Sequence, residues 1–252
     1  SALTPDALAG KTRAEIERID LSRGRRAARV GDMFAVAGDD TARIVIAGGS
    51  PRFDRVGLGM SFGAIMVEGE AGVEAGRLMR GGALTLRGDA GPFAGSRMSG
   101  GVFVIEGNAG ERLAGPLAGE TEGMNGGVLH VLGSAGARCG DRLRRGLVLV
   151  EGDVGDYAAS RMIAGTMAVG GRAGDLPGYL MDRGALLLGG GAARLSPTFG
   201  DCGVFRLVAM RLIADAAAPH SARLAALFRD PLRRLAGDLA ALGKGELLLP
   251  EP

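Results

Sequence analysis

A repeat of 19 residues occupies most of the chain and limits the folds that it can adopt. Short apolar runs recur every 19 residues, with one spacing of 26 residues between the third and the fourth. The runs are AIMVEG from Ala64, ALTLRG from Ala83, VFVIEG from Val102, VLHVLG from Val128, LVLVEG from Leu147, TMAVGG from Thr166, ALLLGG from Ala185 and VFRLVA from Val204. The segment RIVIAG, from Arg43, has the same shape and is interpreted as an imperfect first coil. A period of this length is typical of stacked coils rather than of a globular layout.

The apolar runs alternate as β-strands do. Their second and fourth residues are large and apolar, as in Ile65 and Val67, so a period of two places them together on an inner face. The first and third residues are smaller and seldom charged, so we expect the outer face of the sheet to need a cover. A second apolar column, suited to an irregular interior, lies four residues before each run: Met60, Met79, Met98, Met124, Leu143, Met162 and Met181.

Glycines punctuate the turns between the runs in the pattern G-x-x-G-x-x-x-G. The structural glycines that this pattern predicts are Gly69, Gly72, Gly76, Gly88, Gly91, Gly95, Gly133, Gly136, Gly140, Gly171, Gly174 and Gly178. Each glycine inside a helix would cost about 1 kcal/mol, which disfavours a helical repeat. The sequence therefore predicts an all-β parallel β-helix of about eight coils, with about 19 residues in each.

The flanking segments predict a cap and an extension. Residues 1–42 are interpreted as an N-terminal cap, with a helix opened by the capping box from Thr12 to Glu15 and a hairpin formed by strands at 33–37 and 42–47. Residues 43–210 are predicted to form the β-helix. Residues 211–252 are predicted to be an α-helical extension, with helices at 221–228 and 231–242 that cover the outer face or present it to a partner.

The charge and cysteine content limit the partners and the compartment. A net charge of +2 gives no electrostatic case for nucleic acid. The two cysteines, Cys139 and Cys202, suit a reducing compartment. With no apolar run of membrane-spanning length and no signal peptide visible, we expect a cytoplasmic protein that does not bind a membrane.

No catalytic or metal-binding pattern is recognisable. His130 and His220 have no Cys, His or carboxylate at ligand spacing, and no nucleophile or dinucleotide motif is present. A self-contained β-helix carbohydrate-active enzyme remains an alternative, although its expected carboxylate cluster is replaced by acidic residues spread over several turns: Asp89, Asp153 and Asp175. We therefore predict no catalytic residue and no metal site, and the role of Cys202 stays open.

The most distinctive polar feature is a column of arginines. Arg97, Arg142 and Arg161 share one coil position, and Arg80, Arg144, Arg145 and Arg183 lie within three residues of that line. Stacked cations repel one another unless anions or solvent relieve them, so the column is either a binding site for a polyanion or a solvated rim. The seven-residue insertion lies between positions 113 and 127, carries Glu120 and Glu122, and is predicted to bulge as a loop, either a contact surface or a tolerated insertion.

Several motifs give the chain a resemblance to a known family. The repeated G-x-x-G-x-x-x-G, the Arg97-Met98 and Arg161-Met162 turns, the stretch LVLVEGDVGDYAASRMIAGTMAVGG and the ending LSPTFGDCG resemble the C subunit of formylmethanofuran dehydrogenase. They are equally similar to the matching subunit of the bacterial formyltransferase/hydrolase complex. The resemblance covers about residues 44–210 and extends more weakly to the C-terminal domain of the glutamate synthase large subunit.

The resemblance implies a right-handed parallel β-helix that is a non-catalytic scaffold within a larger assembly. It implies partners within one complex: metallohydrolase-like, formyltransferase and dehydrogenase-B-like subunits that act in tetrahydromethanopterin-linked one-carbon metabolism. The bacterial branch is favoured over a tungsten/molybdenum formylmethanofuran dehydrogenase because few cysteines and arginine in place of lysine suit an aerobic, GC-rich methylotroph. The methanofuran-type carrier of such systems bears a polyglutamyl arm, which makes the arginine column a candidate for holding that arm.

Overall fold

The N-terminal cap differs in part from its prediction. The computed structural model describes residues 3–23 and 26–251. The cap contains α1 (Pro5–Leu8), α2 (Arg13–Glu17), β1 (Asp20–Arg23), β2 (Arg26–Arg29) and α3 (Val30–Met33). The capping box of α2 is confirmed, with Glu15 accepting a hydrogen bond from the N–H of Thr12 at 2.7 Å. The predicted strand at 33–37 and its hairpin are wrong, because Asp32 accepts from the N–H of Arg29 at 2.8 Å and closes the turn α3.

A column of parallel strands forms the body of the molecule. The next elements along the chain are β3 (Arg43–Ile46), β4 (Ala64–Val67), β5 (Ala83–Leu86), β6 (Ser99–Ile105), β7 (Asn125–Val131), β8 (Arg145–Val150), β9 (Thr166–Val169), β10 (Ala173–Asp175), β11 (Arg183–Leu188) and β12 (Ala192–Arg194). All except β10 and β12 join one sheet in chain order, each parallel to the next. Ala64 lies opposite Ala83, and Val102 lies opposite Val128, so the register follows the sequence repeat across the insertion. The predicted parallel β-helix is confirmed.

A second, thinner ladder closes each coil. Single bridges join one coil position in successive coils, Ala71, Ala90, Ala109, Ala135, Val154 and Ala173, and β10 pairs with β12 in parallel. The interior between the two ladders is apolar, and the predicted inner columns are buried. Met98, Phe103 and Ile105, for example, are all 0% exposed. Burial of this continuous core, rather than any one coil, is what stabilises the stack.

The coils turn through residues with left-handed backbone. Three coil positions, each two residues apart, have positive φ in successive coils. They are Arg55, Glu74, Phe93, Arg112, Arg138, Tyr157 and Leu176; then Gly57, Gly76, Gly95, Ala114, Gly140, Ala159 and Gly178; then Gly59, Leu78, Arg97, Arg142, Arg161 and Leu180. A left-handed residue other than glycine costs about 1–2 kcal/mol, so the stacking of the coils has to offset a repeated local strain.

The C-terminal segment corrects two predictions. It contains β13 (Gly200–Phe205), α4 (Val208–Ala217), α5 (Ala222–Leu227), β14 (Leu232–Gly237) and β15 (Lys244–Pro250). The run from Val204 is not a coil strand, because β13 pairs antiparallel with β14 and lies at the edge of the sheet. Its expected place beside β11 is taken by β15, in parallel register. The helix predicted at 231–242 is also wrong, since pairing with β13 and β15 overrides its helical leucine spacing.

Two short helices cover half of the outer face of the sheet. The predicted helix at 221–228 is observed as α5, and α4 precedes it. Met210 of α4 and Leu224 of α5 pack in one cluster with outward residues of the last coils, including Leu149 and Leu187, and these four side chains are at most 4% exposed. The corresponding face of β3 to β6 has no such cover within the described chain, and Val45 there is 55% exposed. None of the helices described is long and apolar enough to cross a membrane.

Candidate functional site

The arginine column lies on one corner of the β-helix. Arg97, Arg142 and Arg161 have φ values of 53°, 51° and 51°, so successive coils present them in the same backbone conformation. Each is followed directly by a residue of the buried column, such as Met98 or Met162, both 0% exposed. The inward direction of those neighbours turns the arginine side chains toward the surface of the corner.

The insertion folds back onto this corner instead of projecting freely from it. Glu120 accepts hydrogen bonds from the guanidinium of Arg77 at 2.6 and 3.2 Å, and Arg97 lies 3.6 Å away. Arg142 donates to the main-chain carbonyl of Glu120 at 3.1 Å. The hydrogen bonds from Arg77 are the main reason that the pKa of the Glu120 carboxyl is lowered. The insertion, which was predicted to bulge as a loop, therefore packs on this corner and connects several coils.

Two further carboxylates neutralise other members of the column. Glu122, also in the insertion, accepts from Arg144 at 2.8 Å. Asp141 is 0% exposed, pairs with Arg161 in a bidentate fashion and accepts from Ser160 at 3.0 Å. A buried carboxylate of this kind requires its cation, because removing one partner of a buried pair leaves an uncompensated charge. Arg142, Arg144 and Arg161 thus have contacts within the chain that hold their side chains.

A groove beside the column is lined by two of its arginines. Its volume is about 350 Å³, and its lining combines two stacked coil positions with the insertion: Gly59, Leu78, Arg80, Arg97, Ser99, Glu122, Gly123 and Asn125. Arg80 has no ion pair within 4 Å among the described residues. The Oδ1 atom of Asn125 is buried and has no hydrogen-bond partner in the described chain. Because the lining comes from neighbouring coils, the groove follows the axis of the β-helix.

The remaining two arginines of the prediction lie outside this groove. Arg145 and Arg183 are the exposed first residues of β8 and β11. Within residues 3–23 and 26–251, neither makes an ion pair shorter than 4 Å. The structure therefore divides the predicted column into Arg80 and Arg97 at the groove, Arg145 and Arg183 at the strand starts, and three arginines held by the chain itself.

The predicted glycines occupy two kinds of environment. The third glycine of each unit, such as Gly95 with φ of 68°, has left-handed backbone. The first two approach the preceding coil closely: a Cβ atom on Gly88 would lie 2.7 Å from the backbone nitrogen of Glu70. Real Cβ atoms do not approach that closely, so these positions set the distance between coils.

The acidic residues of the turns contact the backbone of the following coil. Asp89 accepts from the N–H of Asn108 at 2.7 Å, and Asp153 accepts from the N–H of Arg172 at 2.7 Å. Asp175 instead pairs with the side chain of Arg194 at 2.8 Å. These carboxylates bind neighbouring coils to one another and do not form the facing acid and base pair that glycoside hydrolysis uses.

A second polar cluster, which the sequence did not reveal, attaches α5 to the sheet. Glu151 contacts Nε2 of His130 at 3.1 Å and accepts from Nε of Arg223 at 2.9 Å. Burial raises the pKa of Glu151, but hydrogen bonds from Ser221, Arg223 and His130 outweigh it, so the pKa is lowered overall. Burial, with repulsion from His130, lowers the pKa of the nearby His220. In the sequence, the one indication of this cluster was His130, a histidine within an otherwise apolar run.

The metal and cysteine findings concern the described residues alone. No group of three or more His, Cys, Asp or Glu side chains in that part of the chain is placed to hold a metal ion. Cys139 is buried, and burial raises the pKa of its thiol to about 12, which keeps it unreactive. Cys202 is exposed on β13. Together, the fold and these sites define a β-solenoid protein whose polar clusters mainly hold its coils, insertion and terminal helices in place.

Comparisons with known proteins identify the family within that class. No family model matches the chain. The chain is 56% identical over 248 residues to the C subunit of the formyltransferase/hydrolase complex Fhc of Methylorubrum extorquens, covering 98% of this chain and 93% of that protein. A chain in the crystal structure of the formyltransferase/hydrolase complex FhcABCD from Methylorubrum extorquens, in complex with methylofuran, superposes with a TM-score of 0.92 and 43% sequence identity, covering 99% of this chain and 93% of that one.

The chain belongs to the family of C subunits of the formyltransferase/hydrolase complex. The family resemblance drawn from the repeat and its motifs is confirmed. Both relatives are named for the formyltransferase/hydrolase complex, so the dehydrogenase alternative and the carbohydrate-active alternative are not favoured.

Proposed function

We propose that this chain is the scaffold of a cytoplasmic formyltransferase/hydrolase complex of tetrahydromethanopterin-linked one-carbon metabolism. Its partners in this proposal are metallohydrolase-like, formyltransferase and dehydrogenase-B-like subunits, which carry the catalytic groups. Family membership supports the proposal, because the relative of known structure was solved within the assembly FhcABCD. The outer face of β3 to β6 is poor in charge and also suits contact with other chains. α4 and α5 leave it uncovered, because they pack only on the outer face of the later strands.

Co-purification tests the scaffold role directly. We expect the tagged chain, expressed with the genes of the other subunits, to elute with them as one species during size-exclusion chromatography. Formyltransferase and hydrolase activity should elute at the same position and should be lacking in the isolated chain. Formyl hydrolysis by the isolated chain, or elution of the chain apart from the active subunits, would contradict the proposal.

The groove gives this chain another role in the proposal, namely holding the acidic arm of a methylofuran-type carrier. The observation that carries this role is that Arg80 and Arg97 line the same axial groove, and that neither is bonded to a carboxylate at hydrogen-bond distance. The crystal structure of the related complex contains methylofuran, which supports a carrier of this class. An extended chain of carboxylates would meet cations in successive coils, since the groove follows the axis.

A double substitution tests this role. We expect Arg80→Ala with Arg97→Ala to weaken binding of a polyglutamate peptide to the assembled complex by about tenfold to a hundredfold at low salt. The matched control removes two exposed arginines elsewhere, Arg18→Ala with Arg52→Ala, and should bind the peptide as the wild type does. Fluorescence anisotropy with a labelled peptide at several salt concentrations measures both. Equal affinity of the two double variants at low salt would remove the groove from the proposal and leave the scaffold role standing.

A further inference from the structure

Exposed apolar side chains are concentrated on β13 and α4, at the end of the β-helix. Val204 and Phe205 are 39% and 43% exposed, and Val208 and Leu212 are 78% and 74% exposed. Val208 and Leu212 are four residues apart in α4, so they lie on one face of the helix. Met210, on the other side, is 4% exposed and packs on the sheet. The helix therefore has a second apolar face that this chain does not use.

The neighbouring strand has a free edge. β13 is the outermost strand of the eleven-stranded sheet described here, and all six of its residues are exposed. One edge pairs with β14, and no strand of the described chain pairs with the other edge. Strand edges of soluble proteins are usually covered, shortened or charged, because they otherwise pair with other chains. We define β13 and the exposed face of α4 together as the terminal patch.

Two arginines at the terminal patch are not paired with a carboxylate of the described chain. Arg206 and Arg211 are exposed and make no ion pair with any residue that the structure describes. The nearby carboxylates, Asp201 and Asp215, are each already paired with an arginine of this chain at 2.5 Å. The patch thus combines exposed apolar side chains, one of them the aromatic Phe205, with unpaired arginines, and aromatic residues and arginine are enriched in protein interfaces.

We propose that the terminal patch binds another protein of the complex, through an apolar surface that carries carboxylates. The apolar residues supply the buried centre of this interface, and Arg206 and Arg211 pair with the partner's carboxylates at its rim. The inference rests on the proposed assembly with other subunits and adds to it the face through which one of them is held.

Cys202 lies within the terminal patch and serves as a probe of its burial. N-ethylmaleimide should modify the isolated chain once, at Cys202, because Cys139 is buried and its thiol has a raised pKa. In the assembled complex we expect modification of Cys202 to slow by at least about tenfold, as measured by mass spectrometry. The Cys202→Ser variant should take up no label in either form. If the complex assembles while Cys202 reacts as fast as in the isolated chain, the proposed face is wrong and the scaffold role is unaffected.

A charge substitution on α4 tests the same surface from a different side. Leu212→Glu should leave the isolated chain folded, because Leu212 is 74% exposed, yet it should lower the yield of complex by about tenfold. The matched control is Leu132→Glu, which makes the same change at a residue 46% exposed. Other coils already carry glutamate at that position, as in Glu106, so the control should fold and assemble normally. Normal assembly of Leu212→Glu would overturn the proposal, whereas failure of the wild type to assemble at all would overturn the scaffold role as well.

Discussion

Glu120 Oε1 lies 2.6 Å from Nη2 of Arg77, although 43 residues separate the two in the sequence. Their side chains are only 17% and 13% exposed. The pair fixes the insertion to a coil formed two turns earlier, and Arg97, in the coil between, contributes a longer ion pair to the same carboxylate. The insertion therefore belongs to the packing of the corner, and it limits how much of the arginine column another anion can reach.

Removal of the Glu120 charge should loosen this corner. We expect Glu120→Gln to lower the free energy of unfolding by about 1–3 kcal/mol, because the buried Arg77 loses the carboxylate that accepts its hydrogen bonds and keeps only the longer ion pair with Glu74, at 3.4 Å. Urea titration of the isolated chain measures this loss, and limited proteolysis should show faster cleavage within residues 113–127. Glu106→Gln removes an exposed carboxylate with no ion pair in the described chain and should change the stability little.

The same substitution tests whether the Glu120 carboxylate competes with an acidic ligand for the arginines at the groove. If the groove binds an acidic arm, Glu120→Gln should strengthen binding of a polyglutamate peptide, because Arg77 and Arg97 lose an internal anion. We expect an increase in affinity of about threefold to tenfold at low salt, declining as salt is added. Weaker binding by this variant would mean that the Glu120 carboxylate helps to form the site and does not compete with the ligand.

The glycines that separate coils should tolerate substitution less than glycines in open turns. Gly88→Ala would place a Cβ atom 2.7 Å from the backbone of the preceding coil, so two coils have to move apart. We expect a loss of about 2–4 kcal/mol in the free energy of unfolding. Gly59→Ala is the control, because Gly59 has φ of 70° but nothing within 4 Å of its added Cβ, and only a backbone cost of about 1 kcal/mol applies. Equal losses measured by thermal unfolding would argue against steric control of the spacing.

Stability should decrease in mild acid because of the cluster beneath α5. His220 has a lowered pKa in the folded chain, so below the ordinary histidine pKa of about 6.5 the unfolded state binds more protons than the folded state. Its contribution is therefore present above pH 6.5 and is lost as the pH falls toward the lowered value. Glu151, whose folded pKa is also lowered, adds a loss at still lower pH, as it becomes protonated in the folded state.

His220→Gln isolates the histidine effect. Urea unfolding of the wild type between about pH 5.5 and 8 should show stability that rises with pH, and the variant should show a smaller slope over this interval. His130 and Arg223 both contact Glu151, and the substitution leaves all three side chains unchanged. An identical slope in the variant would show that other groups cause the pH dependence.

The sequence predicted the repeating part of the fold because each coil repeats the same local information. Ile65 and Val67 reappear as Leu84 and Leu86 in the next coil, and parallel stacking follows from that register. The left-handed backbone of the arginines was harder to predict, because the identity of a residue such as Arg97, with φ of 53°, does not indicate a positive φ. Gly59, which holds the position of Arg97 two coils earlier, was the available signal that this position favours positive φ.

Contacts between distant segments account for what the sequence did not predict. The position of Glu120 depends on arginines from coils on either side of it, and no local pattern encodes that contact. The column of arginines was visible in the sequence, but the sequence did not indicate that carboxylates of the same chain bind several of them. Leu232 and Leu235 had helical spacing, yet their partners in β13 and β15 made the segment a strand.

The last coil offers a direct test of this correction. Leu247 of β15 stands opposite Leu186 and is 0% exposed, whereas Phe205, which the repeat alone places opposite Leu186, is 43% exposed. Leu247→Ala should lower the free energy of unfolding by about 2–5 kcal/mol, since it opens a cavity at the end of the core. Phe205→Ala should change it by less than about 1 kcal/mol in the isolated chain. Urea unfolding of both variants measures the two losses. A larger loss for the variant in the run from Val204 would mean that this run, and not β15, forms the last strand of the parallel column.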